Sequence, residues 1–557
     1  MAAAELTVRL TGLTVFIALA LVACTSGTDD PGATLPADSA VTDTGSAGDA
    51  DGDGFTVEEG DCDDADASAW PGASEIAYDG VDQDCDGADL TDADGDGHDA
   101  ESAGGLDCDD ADPARSPDTP ELCDGVDDNC SGAADDEFNT VSFEARGGQW
   151  TSLNDALSGA MGAPAHLTLS EPGTLWFCGG QWSVSLTLAA DIDVVGVDGV
   201  YSELSGGRAA TVVRVSPGAD VQLSGLTLRD GLATERVTIG DSDRRKDSHI
   251  AGGGLLVEEA SIALTRVDIV DNEGAVGGGV MLHDATASFE QVLISGNGAG
   301  FGGGLFSNAS DVTLLETHFI ANTSSQDGGG FYVLGGAVDG EGLQLIANES
   351  GYGGGGLVED AVLTLLDSDF TANAAESGGG LFLYLSELSG SGVTFADNEA
   401  SYGGGLYKQS SDATLDASAF VGNRASQGGG FIISSDGGLS LSGATIQENA
   451  ATYGGGGLLY STGDVTVEGS LLEGNEAAEG AGVYVYYSDL SVRDTAFTGN
   501  TAALAGGGLV IDASTLQVDR CDFADNLTDD TYEFTTEDSD VWGRDASFTC
   551  DMTGCDE

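Results

Sequence analysis

Two short stretches of this chain carry aspartates at a spacing suited to a hard cation. Asp49, Asp51 and Asp53 alternate along one loop, and Gly54 permits the sharp turn that gathers their carboxylates around one point. The Phe55 carbonyl can add a fourth oxygen. Asp92, Asp94, Asp96 and Gly97 repeat the arrangement, with His98 in the place of Phe55. The twelfth position of each loop is Gly60 or Ala103, so no glutamate closes the shell there. Asp61 and Asp63 in the first loop, and Asp107 and Asp109 in the second, are expected to close it instead. All-oxygen sets of this kind favour Ca²⁺, which accepts roughly six to eight oxygen ligands in flexible geometry.

The loops belong to a tandem duplication over residues 49–137. The first copy reads DADGDGF, DCDDAD, PGASE and DGVDQDCDG, and the second reads DADGDGH, DCDDAD, PDTPE and DGVDDNCSG. The segment holds 32 carboxylate residues against the single basic residue Arg115, so at neutral pH it needs bound cations to stay compact. It resembles the metal-binding repeats of MopE-type and myxobacterial surface lipoproteins and, more distantly, thrombospondin type 3 repeats, over about 89 residues. The resemblance implies calcium, and it implies pairing of Cys62 with Cys85 and of Cys108 with Cys130. That family usually has a third cysteine per unit; here Tyr78 stands where the second copy has Cys123, leaving Cys123 in need of a partner, for which Cys178 is a candidate. Copper chemistry, attributed to one branch of the family, is not expected, because only His98 offers an imidazole. A solvated acidic linker would not carry matched cysteines in duplicate.

The rest of the chain has the elements that must carry such loops. Asn recurs at Asn272, Asn297, Asn322, Asn348, Asn373, Asn398, Asn423, Asn449, Asn475, Asn500 and Asn526, each with Phe, Ile or Leu three places earlier. Glycine clusters precede these asparagines by 19 or 20 residues, giving a period of 25 or 26. One such unit is too short to close a core, yet its apolar alternation, as in Ile262, Leu264, Val267 and Ile269, is that of short strands with one buried face. Stacked coils about 4.8 Å apart would superpose the asparagines into an internal amide ladder, since an amide both donates and accepts and tolerates a left-handed turn. The repeats from Phe319 to Asn322, Phe370 to Asn373, Phe395 to Asn398, Phe420 to Asn423, Phe497 to Asn500 and Phe523 to Asn526 resemble the FxxN and GG repeats of chlamydial polymorphic outer-membrane proteins, over about 275 residues. Trp150 to Leu157 resembles the short helix that plugs pectin-lyase-like β-helices. The expected fold is therefore all-β: a right-handed single-stranded parallel β-helix behind a calcium-binding, disulfide-containing, loop-rich segment.

Strand phase also selects a face. Counting from the middle glycine of each cluster, the second residue points inward, so the third and fifth point out. Those places hold Phe306, Tyr332, Phe382, Tyr384, Tyr407, Tyr460, Tyr484 and Tyr486, which could stack on sugars or dock a protein. Stacking between coils, or cover by a loop, is the bland reading of the same residues. Pectin-lyase-like folds include polysaccharide lyases and glycosidases, so an enzyme of that kind is the alternative function, although the acidic and basic motifs of galacturonan-cleaving enzymes are not found. The one basic cluster, Arg244, Arg245 and Lys246 with Asp241, Asp243 and His249, reads as a solvated insertion between coils. His283 and His318 sit at different offsets in their repeats and read as surface imidazoles.

Charge and the N-terminus set the compartment and partners. Acidic residues number 96 against 16 basic ones, which removes nucleic acid as a partner, while 41% hydrophobic residues and 87 glycines suit a folded chain. Leu10 to Ala23 form an apolar run of signal-peptide length, ending in Leu21, Val22, Ala23 and Cys24, which looks like the lipobox of bacterial lipoproteins. That resemblance implies export and a lipid anchor at Cys24, on the bacterial outer membrane or cell surface. The domains expected are a signal peptide at 1–23, a flexible tether at 24–48, the metal-binding repeats at 49–137, a cap helix and first coils at 140–250, regular coils at 251–526 and a C-terminal cap at 527–557. The expected protein is a calcium-binding surface lipoprotein with a structural or adhesive β-helix, bound to the membrane only by its anchor and open to a glycan or surface-protein ligand.

Overall fold

The computed structural model describes residues 48–134 and 140–551, apart from 120, 124–125, 158–162, 198–200, 235, 240–246, 462, 529–540 and 545–546. The signal segment, Cys24, the tether, the basic cluster at 244–246 and Cys555 lie outside the described residues. The chain divides into two compact units, 1–91 and 92–557. The two acidic copies therefore do not make one domain: the second belongs with the coils.

From Ala165 onward the main sheets form a parallel β-solenoid. A typical coil contributes Leu255–Glu258, Ser261–Thr265 and Asp268–Val270, and these strands pair in parallel with Val280–His283, Thr286–Glu290 and Leu293–Ser295 of the next coil. Like residues superpose, Leu255 on Val280 and Ile262 on Ala287. Alternation does the sorting, since Ile262 and Leu264 enter the core while Ser261, Ala263 and Thr265 do not. Close approach of the coils explains the glycines: a Cβ on Gly303 would lie 2.4 Å from the Thr323 carbonyl oxygen and 2.5 Å from that of Gly329.

The eleven asparagines line the interior, each almost fully buried. Asn297 Nδ2 donates to Asn322 Oδ1 at 3.0 Å and to the Ile269 carbonyl at 2.8 Å, and the Asn297 backbone N–H donates to the same Asn322 oxygen at 3.1 Å. The pattern recurs from Asn272 to Asn526. One expectation is corrected here. The left-handed conformation falls on the residue before each asparagine, as at Asp271, Ala321 and Ala372, and not on the asparagine itself. The amide is selected for its hydrogen bonds alone, because the preceding residue already turns the chain.

The ends differ from expectation too. Trp150 lies in the strand Gln149–Ser152, which forms an antiparallel hairpin with Thr140–Ala145. Among the described residues the helix is confined to Asn154–Leu157. Gly147 and Gly148 make the tight turn, and the Trp150 ring stacks on Trp176 at 6.3 Å, so an aromatic position that could have been helical is drawn into the sheet. At the other end Val541–Arg544 and Ser547–Asp551 pair in parallel with Leu509–Asp512 and Thr515–Asp519, so the stack continues beyond Asn526.

One core position is ionisable. Lys408 stacks between Leu383 and Ile433 on an inward column, fully buried, and its Nζ has no hydrogen-bond partner. Burial pulls its pKa down from 10.5 to about 8, with Asp412 opposing. Between about pH 8 and pH 10.5 the unfolded chain holds a proton that the folded one has released, so stability rises with pH across that window, by roughly 3 kcal/mol in all. Lys408→Met is expected to be more stable than the parent at pH 7 and to lose that rise. Thermal unfolding of both proteins at pH 7 and pH 10 checks it; a variant less stable at pH 7 would show that the ammonium is compensated.

Candidate metal centre

Each loop folds around its own first aspartate. In the first copy Asp49 accepts the N–H groups of Gly52 at 2.6 Å and Gly54 at 3.0 Å; in the second, Asp92 accepts those of Gly95 at 2.8 Å and Gly97 at 2.9 Å. The next two aspartates each use one oxygen to accept the N–H two residues on: Asp51 from Asp53, Asp53 from Phe55, Asp94 from Asp96 and Asp96 from His98. Asp61 and Asp107 do the same with Asp63 and Asp109.

The other oxygens decide the chemistry. Oδ2 of Asp51, Asp53 and Asp61, and Oδ2 of Asp94, Asp96 and Asp107, are buried with no hydrogen-bond partner. Asp61 is only 4% exposed and Asp107 only 2%. A buried carboxylate oxygen left unpaired is costly unless a cation meets it; Asp51 with Asp94, and Asp61 with Asp107, leave one at matching places in the two copies, while the Ser116 hydroxyl beside Asp96 lowers that carboxyl's pKa. Oxygens of Asp49, Asp51 and Asp53 approach within 4.8 Å of one another, as do those of Asp92, Asp94 and Asp96, and those of Asp94, Asp107 and Asp110. Burial first, then repulsion from neighbouring carboxylates, raises the pKa of Asp51 and of Asp94. A divalent cation between the carboxylates would reverse both effects, and acid would compete with it. The residues fit a hard cation.

The closing ligands need one correction. Asp61 and Asp107 each present an unpaired oxygen, but Asp109 does not join the cluster: its Oδ2 is ion-paired with Arg115 at 2.7 Å. Asp63 accepts the Ala65 N–H at 3.4 Å. In the second copy Asp110, 9% exposed, comes instead, and both its oxygens accept the Ala93 N–H. Neither side chain at the fourth position takes part. Phe55 stacks on Trp70 at 5.3 Å, and His98 Nε2 pairs with Asp118 at 3.3 Å, so any ligand from these residues is the carbonyl.

A second group went unread in the sequence. Glu75, Asp82 and Asp84 bring oxygens within 4.8 Å of one another. Asp82, Asp84, Asp86 and Gly87 repeat the same alternate spacing, and Asp82 accepts the N–H groups of Asp86 at 3.1 Å and Gly87 at 3.0 Å. In the second copy Asp127 accepts those of Ser131 at 3.0 Å and Gly132 at 2.8 Å. Among the described residues, every such cluster of three metal-competent groups lies within residues 49–130.

Disulfides Cys62–Cys85 and Cys108–Cys130 close the two copies, and Cys123 joins Cys178 on the first coils. Cys521 is a free thiol.

The aromatic residues picked by strand phase do not form an exposed face; most are stacked or covered. Phe306, Tyr332 and Phe382 are 3%, 1% and 7% exposed, and Tyr384, Tyr407, Tyr484 and Tyr486 are half-buried; of the set, Tyr460 is exposed. Their side chains leave the main core, but aromatic residues just before the glycine clusters pack on three of them, Phe301 on Tyr332, Tyr352 on Phe382 and Tyr453 on Tyr484. Val276, Met281, Phe306, Tyr332 and Phe382 form a second apolar cluster, with Phe301 packed against it. His283 is hydrogen-bonded to Asn308 at 2.8 Å. A groove of about 910 Å³ runs past Arg208, Asp271, Glu273, Thr323, Ser324 and Glu349. Glu273 and Glu349 stand three coils apart on one column, about 14 Å by strand spacing.

Residues 61–89 and 107–136 each match the family model Cu-binding MopE, described as "Putative metal-binding motif". Asp61, Glu75, Asp82, Asp84, Asp107 and Asp110 lie inside these matches, and the loops Asp49 to Asp53 and Asp92 to Asp96 lie outside them. No curated protein and no solved structure matches the chain.

Proposed function

We propose that this chain is a non-enzymatic cell-surface lipoprotein whose tandem acidic repeats bind calcium and whose β-helix is a rigid structural or adhesive module. One observation carries the metal reading: matching aspartates of the two copies, Asp51 with Asp94 and Asp61 with Asp107, leave a buried oxygen without a partner. Calcium, and not copper, suits a donor set made of carboxylates and carbonyls. Binding would neutralise charge that the apo segment cannot hold compactly, so the fold of the repeats is coupled to extracellular calcium levels. The lipobox-like Leu21 to Cys24 supports export and anchoring, and three disulfides suit an oxidising compartment.

The anchor is tested by expressing the chain in a bacterium fed labelled fatty acid. Label is expected on the parent and absent from Cys24→Ser, with the parent in the membrane fraction. An unlabelled parent released as soluble protein would remove the lipoprotein reading and leave the calcium reading standing.

A further inference from the structure

The residue just before each glycine cluster forms a bridged column along the coils: Val276, Phe301, Asp327, Tyr352, Ser377, Tyr402, Gln427, Tyr453 and Glu479. Aromatic side chains occur at every second place, Phe301, Tyr352, Tyr402 and Tyr453. The three tyrosines are 43%, 40% and 40% exposed, and Phe301 is half-buried. Two coils separate each aromatic from the next, about 9.6 Å at a strand spacing of about 4.8 Å. Small or polar residues hold the places between.

Three of the four rings are braced. Tyr352 meets Phe382 edge-on at 5.6 Å, Tyr453 meets Tyr484 at 5.9 Å and 84°, and Phe301 leans on Tyr332 at 6.4 Å. The covered column described above thus serves as a footing for this outer one. Beside the tyrosines the chain places the small residues Gly351, Ser401 and Thr452.

We infer that this row binds an extended, uncharged β-1,4-linked glycan chain, with alternate sugar rings stacked on successive aromatics. The spacing of about two strand separations is close to one disaccharide repeat of such a chain, so every second sugar presents the same face to the next ring. Charge selects against anionic polymers. The net charge is −80, and between Tyr352 and Tyr453 the basic residues are the buried Lys408 and the exposed Arg424. The inference rests on reading the β-helix as an adhesive module and is independent of calcium.

The test is titration calorimetry of the full chain with cellohexaose, β-1,4-mannohexaose and N-acetylchitohexaose, with the matching disaccharides and a galacturonate hexamer alongside. At least one uncharged hexaose is expected to bind, more tightly than its disaccharide, and the galacturonate hexamer is expected not to. Tyr352→Ala, Tyr402→Ala and Tyr453→Ala are each expected to weaken binding about threefold to tenfold, and the triple variant to abolish it. Tyr201→Ala, off the row, is expected to leave it unchanged, and unfolding curves confirm that the variants fold. No binding of any uncharged hexaose, binding confined to the anionic hexamer, or unchanged binding by a folded triple variant would overturn the inference. Repeating the titration in chelator separates the readings. Glycan binding that survives without bound calcium leaves this inference intact whatever becomes of the metal sites, and calcium uptake without glycan binding overturns it alone.

Discussion

Asp61→Asn and Asp107→Asn are each expected to remove one calcium ion from the chain, weakening that site by at least about tenfold because affinity follows the ligand charge count. Both aspartates are nearly fully buried and keep one oxygen for the neighbouring backbone N–H while leaving the other unpaired. Asparagine preserves the acceptor and the volume, so the loop keeps its turn and loses only charge and one hard ligand. The effects should be independent, since each cluster is drawn from a single copy. Asp109→Asn offers the contrast. Asp109 is engaged by Arg115 at 2.7 Å, so its loss should disturb that ion pair and leave calcium affinity nearly unchanged. Equilibrium dialysis with radioactive calcium measures all three. An Asp109→Asn effect as large as that of Asp107→Asn would place the closing ligand where the sequence first suggested it.

The second large effect belongs to the amide ladder. Asn398→Ala leaves the Asn373 backbone N–H and its Nδ2 without their shared acceptor, at 2.9 and 3.0 Å, and strips the Phe370 carbonyl of its 2.8 Å donor. Three buried polar groups are stranded at about 1–3 kcal/mol each, so a loss of roughly 3 kcal/mol or more is expected in denaturant unfolding. Asn398→Asp restores the acceptor but not the donor and buries a charge, so it should not rescue. Ser401→Ala, three residues on and exposed, should cost little. Coils contact only their neighbours, so hydrogen exchange is expected to rise around Asn373 and Asn423 before it rises at the ends.

Much of this was legible in the sequence because it repeats. Eleven asparagines in step with glycine clusters can superpose only if the chain winds into coils, and the coils are there with parallel register. The aspartate loops were legible for the same reason, as an arrangement present twice. What escaped reading depended on contacts that spacing does not encode. Arg115 takes Asp109 away from the cluster six residues earlier, and nothing in the spacing of Asp107 and Asp109 chooses between them. The loop of Asp82, Asp84 and Asp86 carried the same spacing as the first but was hidden by the cysteine between its ligands. Strand phase put Phe306 and Tyr332 outside the main core; it could not show that Phe301 packs on Tyr332. The signal for the exposed row was nonetheless present, in the Tyr that precedes the glycine cluster at Tyr352, Tyr402 and Tyr453.

The central claim is that the duplicated aspartates hold calcium. Isothermal titration of the folded, chelator-stripped chain with calcium tests it most directly, read against the Asp61→Asn, Asp107→Asn double variant. The parent should take up calcium tightly enough to saturate at millimolar concentration, and the double variant should bind two ions fewer. A parent that takes up no calcium at that concentration, or a double variant with the same stoichiometry and affinity as the parent, would contradict the account.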